Sequence, residues 1–486
     1  MTDRLYIENR EVDLPAGTIV TITKQINSFF EVKDRQTSFT NNFTLPFTPI
    51  NKSIMDNLGI IGNQSDKPYI IAKAKFFRHG TPLIIDGKAT IKAFDYNKGY
   101  QVNIQEGNHS LFDELGSKKL SDLDFNHAHK LNISEYFNRL NATDGIVYPI
   151  ADYGNLSHIK IEYQMPCFYI KDLWNKIFTE AGYTYSYYGA DDIFQNDFFN
   201  ELVITGDKGL ETTSVSISNF FDNFTQKDFI KSVNQLFGLV FQKERGTKNY
   251  EFILIEEMLN NRTDALDWSD KLSKLKKQTY RIGSYARTNY FKYTYENDQD
   301  TFNDGTLRVE NETLSPDKTL FTSKFGSPKK VRTSINRNSL LSMSFYADDK
   351  VNSLKPFLMR VKKIDITDFD FSYKGTEVKQ TTNEGLIATT TGLNFNNLIG
   401  KYYLSFGLTI NRPLVVDAEL VLRNDDIYNL DFFRQVYLKQ LGGYFYINKI
   451  SGYKAGKLTK VQLIRTRNKA DTIGEYNDDF NNDFLI

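Results

Sequence analysis

Cysteine is almost absent from this chain: one residue, Cys167, in 486. That excludes an intramolecular disulfide framework and any Cys-x-x-Cys zinc or redox site. A surplus of either charge is also missing. Lys+Arg and Asp+Glu both number 60, so the formal net charge is zero. A balanced chain lacks the basic excess of a general nucleic-acid binder and the self-repulsion of a disordered polyelectrolyte. No stretch approaches the ~20 uninterrupted apolar residues of a membrane span. The opening MTDRLYIENREVDLP has no apolar signal-sequence core. The expectation is a chain made and folded in a cytoplasm, without stable membrane insertion. Sequons at Asn51, Asn63, Asn141 and Asn223 then reflect an Asn-rich composition rather than glycosylation.

Catalytic signatures are missing too. There is no Gly-x-Ser-x-Gly elbow, no His-Glu-x-x-His and no Gly-x-Gly-x-x-Gly. Gly452–Leu458 (GYKAGKL) is one residue short of a phosphate loop and places Leu where Ser or Thr must meet the metal. It reads as a turn. The five histidines are His79, His109, His127, His129 and His158. His127 and His129, with Asp122 or Asp124, have the residue types to ligate a metal; the alternative is a polar loop. Cys167, in Met165-Pro166-Cys167-Phe168, reads as a small core residue rather than a nucleophile. Asp298, Asp300, Asp304 and Gly305 do not keep the spacing of a calcium loop. Asp191-Asp192 and Asp425-Asp426 are unremarkable among 60 acids and mark no glycosidase pair. Lys271–Lys277 and Lys329–Arg332 read as solvated faces. No catalytic, cofactor-binding or metal residue is assigned, and no cofactor is expected.

What the chain does have is aromatic mass, 38 Phe and 29 Tyr, and such residues favour pleated, half-buried surfaces. Period-2 alternation predicts strands over Gly17–Ile26, Ser38–Phe47, Tyr69–Phe77, Thr81–Phe94 and Tyr100–Gln105, with hairpin chemistry at Asp86-Gly87 and Asn97-Lys98-Gly99. A short helix is expected after Asn51 as N-cap, and another over Asn108–Lys119. Ile170–Tyr183 and Gln226–Leu239 share Lys-Asp, a helical run, and Gly ten residues after the Asp. Each is expected as a helix with an apolar stripe, closed by Gly182 or Gly238 and followed by a strand. They read as a duplicated or family-specific unit, or as a join that many α+β domains share. Tyr250–Glu256, Ser284–Tyr295, Phe357–Ile366, Lys401–Thr409 and Leu414–Leu422 read as strands, and Leu430–Leu441 as a helix ended by Gly442-Gly443. Strands at Tyr444–Ile450, Gly452–Tyr453 and Leu458–Ile464 close the folded part.

The chain is therefore read as α+β and β-rich, with two small β-barrel-like domains joined by α/β helix–strand modules. The expected divisions are 1–165, an N-terminal β-barrel-like domain with short helices; 166–285, an α+β domain with the two helix–Gly–strand units; 286–467, a C-terminal β-rich domain with one helix; and 468–486, an Asn/Asp-rich tail. Three residues are candidates for interaction. Trp268, between Asp267 and Asp270, is expected to anchor a domain junction. Phe480 and Phe484, in the near-repeats NDDF and NNDF, are expected to dock the tail on a neighbour.

Three stretches resemble tail baseplate hub proteins of Bacteroidetes phages and prophages. The first is Thr23–Leu58, with Asp34-Arg35-Gln36-Thr37-Ser38-Phe39-Thr40 leading through Leu45-Pro46 to Asn51. The second is Gln226–Lys271, where KDFIKSVNQLFGLVF leads to a strand and then DWSDKL. The third is Tyr437–Ile464, with GYFYINKISGY and VQLI. The resemblance implies a phage hub-like fold and a structural, non-enzymatic role. It implies a homotrimeric ring in the virion tail tip or baseplate, whose six barrels adapt a sixfold tail tube to a threefold tip. The implied partners are further copies of the chain, the tail tube or distal-tail protein, the tape measure, and tail fibre or spike proteins, with DNA only as passing cargo. Alternatives are a sixfold distal-tail ring, a carbohydrate-binding tip protein, or a cell-wall glycosidase.

Overall fold

The structure is a computed structural model that describes residues 3–468 and 471, apart from 16–17, 19, 26–37, 107–108, 155–158, 281–284, 298, 329–332, 336–337 and 348–349. The chain is α+β and β-rich, and its long-range organisation is set by two hydrophobic cores.

The first core belongs to both ends of the chain. Near the N-terminus, Glu8 and Asn9 take positive φ (51° and 62°) and turn Arg4–Ile7 back as Arg10–Val12. Two positive-φ residues match the twist of a two-residue hairpin. Alternation then sends Leu5, Ile7 and Val12 inward. His79-Gly80 turns Ala72–Arg78 into Thr81–Asp95, and Asn97-Lys98-Gly99 turns that strand into Gly99–Glu106. Gly99 (φ 108°) is needed here, since a Cβ would lie 2.1 Å from the Leu45 carbonyl oxygen. These strands do not form a sheet of their own. Ile22–Lys24 pairs antiparallel with Gly443–Tyr453, Lys24 opposite Ile450, so N-terminal and C-terminal strands merge. The result is a 14-stranded sheet running from Leu272–Thr279 through Val415–Val421, Leu458–Arg465 and Gly443–Tyr453 to Ile22–Lys24, and on to Arg10–Val12. Its ends do not meet, and none of the sheets closes into a barrel among the described residues.

The second core takes in most of the chain between Leu111 and Val415. A five-stranded sheet orders Ile146–Val147, Cys167–Tyr169, Leu202–Thr205, Leu358–Asp365 and Glu384–Thr389. The two helix–Gly–strand segments meet in a three-stranded sheet. Ile170–Glu180 leads past Gly182 (φ 72°) to Thr184–Tyr187, and Gln226–Phe237 leads through Gly238 (φ 62°) to Leu239–Lys243. Both strands flank Asn249–Leu254, the first parallel and the second antiparallel. The two segments are thus alike locally but enter the sheet in opposite senses. Trp174 is fully buried among the rings of Phe178, Phe194 and Phe252, with centroids 5.2–5.4 Å away.

Four local expectations are corrected. Asn51 is not the helix cap: Thr48 caps Pro49–Ile54, and Asn51 is buried inside the first turn. Asp86-Gly87 is not a turn but lies within Thr81–Asp95. Gly87 serves close packing there, since a Cβ would lie 2.7 Å from Ile104 Cγ2 and 2.9 Å from the Ala74 carbonyl oxygen. Lys401–Thr409 is helical, in Phe395–Tyr402 and Leu404–Asn411. Asn394 caps the first helix, and Phe395, Leu398, Ile399 and Tyr402 recur at helical spacing on its buried side. Leu430–Leu441 is a loop followed by the strand Val436–Leu438 and a single 3-10 turn. Tertiary contacts outweigh the helical pattern there. Val436 pairs with both Phe445 and Leu266, and the Gln435 amide donates to three carbonyls at the end of the helix Ile255–Asn260.

Candidate interaction surfaces

Several of the candidate residues that the structure describes make structural contacts. His129 Nδ1 lies 2.9 Å from the His127 carbonyl oxygen and Nε2 lies 2.6 Å from the Tyr148 hydroxyl, and burial pushes its imidazole pKa down. Asp122 accepts the Lys119 N–H at 2.7 Å. No group of three or more potential metal ligands occurs among the described residues. Cys167 is fully buried, and burial pushes its thiol pKa up, away from thiolate chemistry. Asp304 accepts the Tyr293 N–H at 2.9 Å and the Tyr295 hydroxyl at 2.8 Å, which knits its loop to a strand. Asp298 and His158 lie outside the described residues. Asp192 caps Ile193–Gln195, and Asp426 accepts from the Arg423 N–H and from Lys271. Gly452 and Gly456 both have positive φ, at the end of Gly443–Tyr453 and in the turn after it. Lys329–Arg332 lies outside the described residues. The run Lys271–Lys277 falls mostly on Leu272–Thr279, a strand at one edge of the large sheet that is largely exposed on both faces.

A cavity of about 500 Å³ opens where the N-terminal strands, the three-stranded sheet and the 428–432 segment meet. Its walls carry many charges, and most are matched. Lys24 reaches Glu106 at 2.7 Å and Lys243 reaches Asp86 at 2.8 Å. Asp431 accepts from the Tyr188 hydroxyl and the Gln242 amide, both at 3.0 Å. Arg245 donates to the Tyr428 carbonyl and stacks on its ring. Burial alone would raise the Glu106 pKa, but Lys24, the Ile85 N–H and Arg245 hold it below the usual carboxylate range. Burial raises that of Glu251, against the hydrogen bond from Gln242. The cavity is a polar seam that ties the two cores together through paired charges.

Unmatched surface lies elsewhere. Ile60, Ile61, Tyr69, Ile70 and Ile71 are exposed, Ile61 by 93% and Tyr69 by 87%. They gather at the Ile91–Tyr96 end of Thr81–Asp95. Gly59 packs on the Phe94 ring, which also contacts Phe47 and Tyr96, while Ile70 faces a small hole lined by Ile54, Met55 and Ile91. An exposed apolar cluster of this kind is a candidate interaction surface. Reading Tyr69–Phe77 as one strand hid it. The observed strand starts at Ala72, which leaves Tyr69, Ile70 and Ile71 outside the ladder. The usable signal was apolar pairs inside a stretch of Gly, Asn, Ser and Asp.

Of the expected interaction residues, Trp268 is 3% exposed and lies in the core of the large sheet. Its backbone N–H donates to the Tyr437 carbonyl at 3.0 Å. Phe480 and Phe484 lie outside the described residues. No helix among the described residues is long and apolar enough to cross a membrane.

No protein-family model matches the chain, and no curated protein does. Several solved structures are similar to it over nearly its whole length. The 43 kDa tail protein of prophage MuSo2 from Shewanella oneidensis is 8% identical over 96% of this chain and 98% of that one, with a TM-score of 0.40. Prophage tail protein gp18 from Listeria monocytogenes EGD-e is 8% identical over 98% and 97%, with a TM-score of 0.38. The tail protein from Neisseria meningitidis MC58 is 8% identical over 96% and 97%, also at 0.38. Likeness at these scores is distant, and function does not follow from it.

Proposed function

We propose that this chain is a non-enzymatic structural component of a bacteriophage tail. It acts as a baseplate or tail-tip hub whose homotrimeric ring adapts a sixfold tube to a threefold tip or fibre. The carrying observation is where the three hub-like stretches come together. The first and third, 429 residues apart at Thr23 and Gly452, meet in one sheet. The second ends at Trp268 and Lys271, and Trp268 fills the same core. The described parts of these stretches thus build one body from both chain ends. Each copy carries two groups of β-strands side by side, and three copies present six. Heterologous contacts between copies close such a ring. The tail tube, tape measure and fibre proteins are the partners this role requires.

Light scattering on a sizing column tests the reading. Three times 56.2 kDa, with ring-shaped particles in negative stain, is the expected result. Six times that mass replaces the hub with a sixfold ring. A monomer at all concentrations overturns the self-assembling trimer. A zymogram against cell-wall material is expected to stay blank, and clearing that depends on a single Asp or Glu would overturn the non-enzymatic role.

A further inference from the structure

We propose that residues 479–486 of this chain add an antiparallel strand to the open edge of its own large sheet, beside Leu272–Thr279. The proposal does not depend on the hub reading.

The chemistry of the edge selects what covers it. Leu272–Thr279 is the outermost strand of the 14-stranded sheet and, among the described residues, pairs only with Val415–Val421. Its other side presents backbone N–H and C=O groups with no ladder partner. Its two faces differ. Leu272, Leu275 and Gln278 stand opposite the buried Leu420, Ala418 and Val416, and Leu275 remains 38% exposed. Lys274 and Lys277 stand opposite Glu419 and Asp417 on the other face, where Lys276 reaches Glu419 at 3.0 Å. Lys274 and Lys277 are in no ion pair among the described residues. Lysines and register shifts, both found on this strand, keep unselected strands off an edge. They also disfavour the same strand of a second copy, which would set lysine against lysine. A strand with acids on one face and apolar groups on the other is what they admit.

The end of this chain has that pattern. Residues 472–486 hold Glu475, Asp478, Asp479 and Asp483, with no Lys or Arg. Read with period 2, Phe480, Asn482, Phe484 and Ile486 fall on one face, and Asp479, Asn481, Asp483 and Leu485 on the other. The first set continues the row of Leu272 and Leu275, and the second sets two carboxylates beside Lys274 and Lys277.

The segment also starts within reach of this edge. Thr279, Val415 and Ile464 lie in line across three neighbouring strands. Past Ile464, the Thr466 N–H still donates to the Tyr444 carbonyl, so the chain leaves along the strands. Asp471 then folds back on Asn468, its N–H donating to that carbonyl at 3.1 Å. With ~4.8 Å between strands and ~3.4 Å per residue, Asp471 is at most ~30 Å from a strand added beyond Thr279. The nine residues from Asp471 to Phe480 span ~32 Å. The segment therefore arrives at the Thr279 end and runs toward Leu272, antiparallel to that strand. A tethered segment faces its own edge at an effective concentration of order millimolar, which a free neighbour does not match.

The test is hydrogen exchange of the Leu272–Thr279 amides, in the full chain and in one ending at Asp471. The truncated chain is expected to exchange about tenfold faster at amides facing the open edge, while Gly443–Tyr453, inside the same sheet, is unchanged. Asp479→Lys with Asp483→Lys should match the truncation, and raised salt should move the full chain the same way. Equal exchange with and without the tail overturns the proposal. A tail reversal without effect overturns the charge match that carries it. An isotope-labelled truncated chain mixed with unlabelled full chain decides whose edge is covered. Its edge is expected to stay fast; slowing would place the tail on a neighbour and overturn the own-copy assignment.

Discussion

Replacing Glu106 with Gln isolates the pair that holds the strand joining the two halves of the large sheet. Lys24 and Glu106 are only 5% and 12% exposed, and their charged atoms are 2.7 Å apart. Glu106 Oε1 also accepts the Ile85 N–H at 2.9 Å and the Asp86 N–H at 3.3 Å, while Lys24 donates to the Leu83 carbonyl at 3.3 Å. Gln keeps the shape and the acceptor for both amides but leaves the ammonium without a counter-charge. Breaking a buried pair from one side costs about 3–5 kcal/mol, against about 0–1 kcal/mol for an exposed pair. The burial of both partners places Glu106→Gln in the first range. Lys24→Met with Glu106→Gln removes both charges and keeps the amide acceptor. It should cost about 1–2 kcal/mol, less than either single change, because a buried pair gains little over neutral groups of similar volume.

The chain offers its own assay. One tryptophan lies in each core, Trp174 in the central one and Trp268 in that of the large sheet. In a Trp174→Phe background, urea unfolding followed by fluorescence reports the sheet alone. The pH dependence has a definite sign. Glu106 has a folded pKa below its ordinary value, so its contribution is present above the ordinary carboxylate range. That contribution is lost as pH falls through the folded value, and Glu106→Gln should flatten this acid limb. A Glu106→Gln cost under about 1 kcal/mol would show that the pair behaves as a surface contact. A double variant less stable than both singles would refute the charge argument itself.

Three further outcomes are expected. Asn51→Ala should cost about 2–4 kcal/mol in thermal unfolding, because it strands buried backbone groups. Asn51 is fully buried, accepts the Asp13 N–H and donates to the Asp13 and Pro46 carbonyls, all at 2.9 Å. Gly99→Ala should cost more than about 2 kcal/mol, since it combines a positive φ with a backbone clash that cannot relax cheaply. Cys167 should resist a thiol reagent for hours in the native protein and release one equivalent once guanidinium is added, because it is buried with a raised thiol pKa.

The strands were legible where alternation met a turn signal, and misread where a side chain did work at a distance. Gly443–Tyr453 and Leu458–Arg465 lie within a residue or a few of their expected positions because Phe445, Ile447 and Val461, Leu463 alternate cleanly. Asn51 has a role that its local sequence does not reveal. A cap is a local property and readable from sequence, whereas its bonds to Asp13 depend on a residue 38 positions away, just past the strand Arg10–Val12. The strand expected over Lys401–Thr409 covers only the last two residues of the helix Phe395–Tyr402, whose apolar spacing lies almost wholly before Lys401. The join between chain ends was not legible at all. Ile22–Lys24 is three residues long, and nothing in its composition names Ile450 as a partner. The exposed cluster was hidden because apolar residues were assumed to enter strands, and Tyr69 to Ile71 precede one.

On the hub reading proposed above, that join bears on assembly, because its ladder is short. Among the described residues, Ile22–Lys24 meets Gly443–Tyr453 at two registered positions, with an irregularity between them. Beside the shared core, Arg78, which is 3% exposed on the N-terminal side, adds a polar tie. Its Nη2 donates to the Val20 carbonyl at 2.6 Å and to Asp3 at 3.1 Å, and its guanidinium lies over Tyr453 of the C-terminal side at 5.8 Å. Asn424 then closes the loop. It donates to the Arg78 carbonyl at 3.2 Å and accepts from the Tyr453 hydroxyl at 2.6 Å. A planar guanidinium fixes both distance and orientation, which a lysine ammonium does not. Arg78 is thus one directional tie on the angle between two groups of strands that also share a hydrophobic core. In a ring where each copy supplies two neighbouring strand groups, that angle sets whether the next copy meets its partner surface. Arg78→Lys should leave each group folded yet loosen the angle between them, and so weaken ring closure more than it weakens the fold.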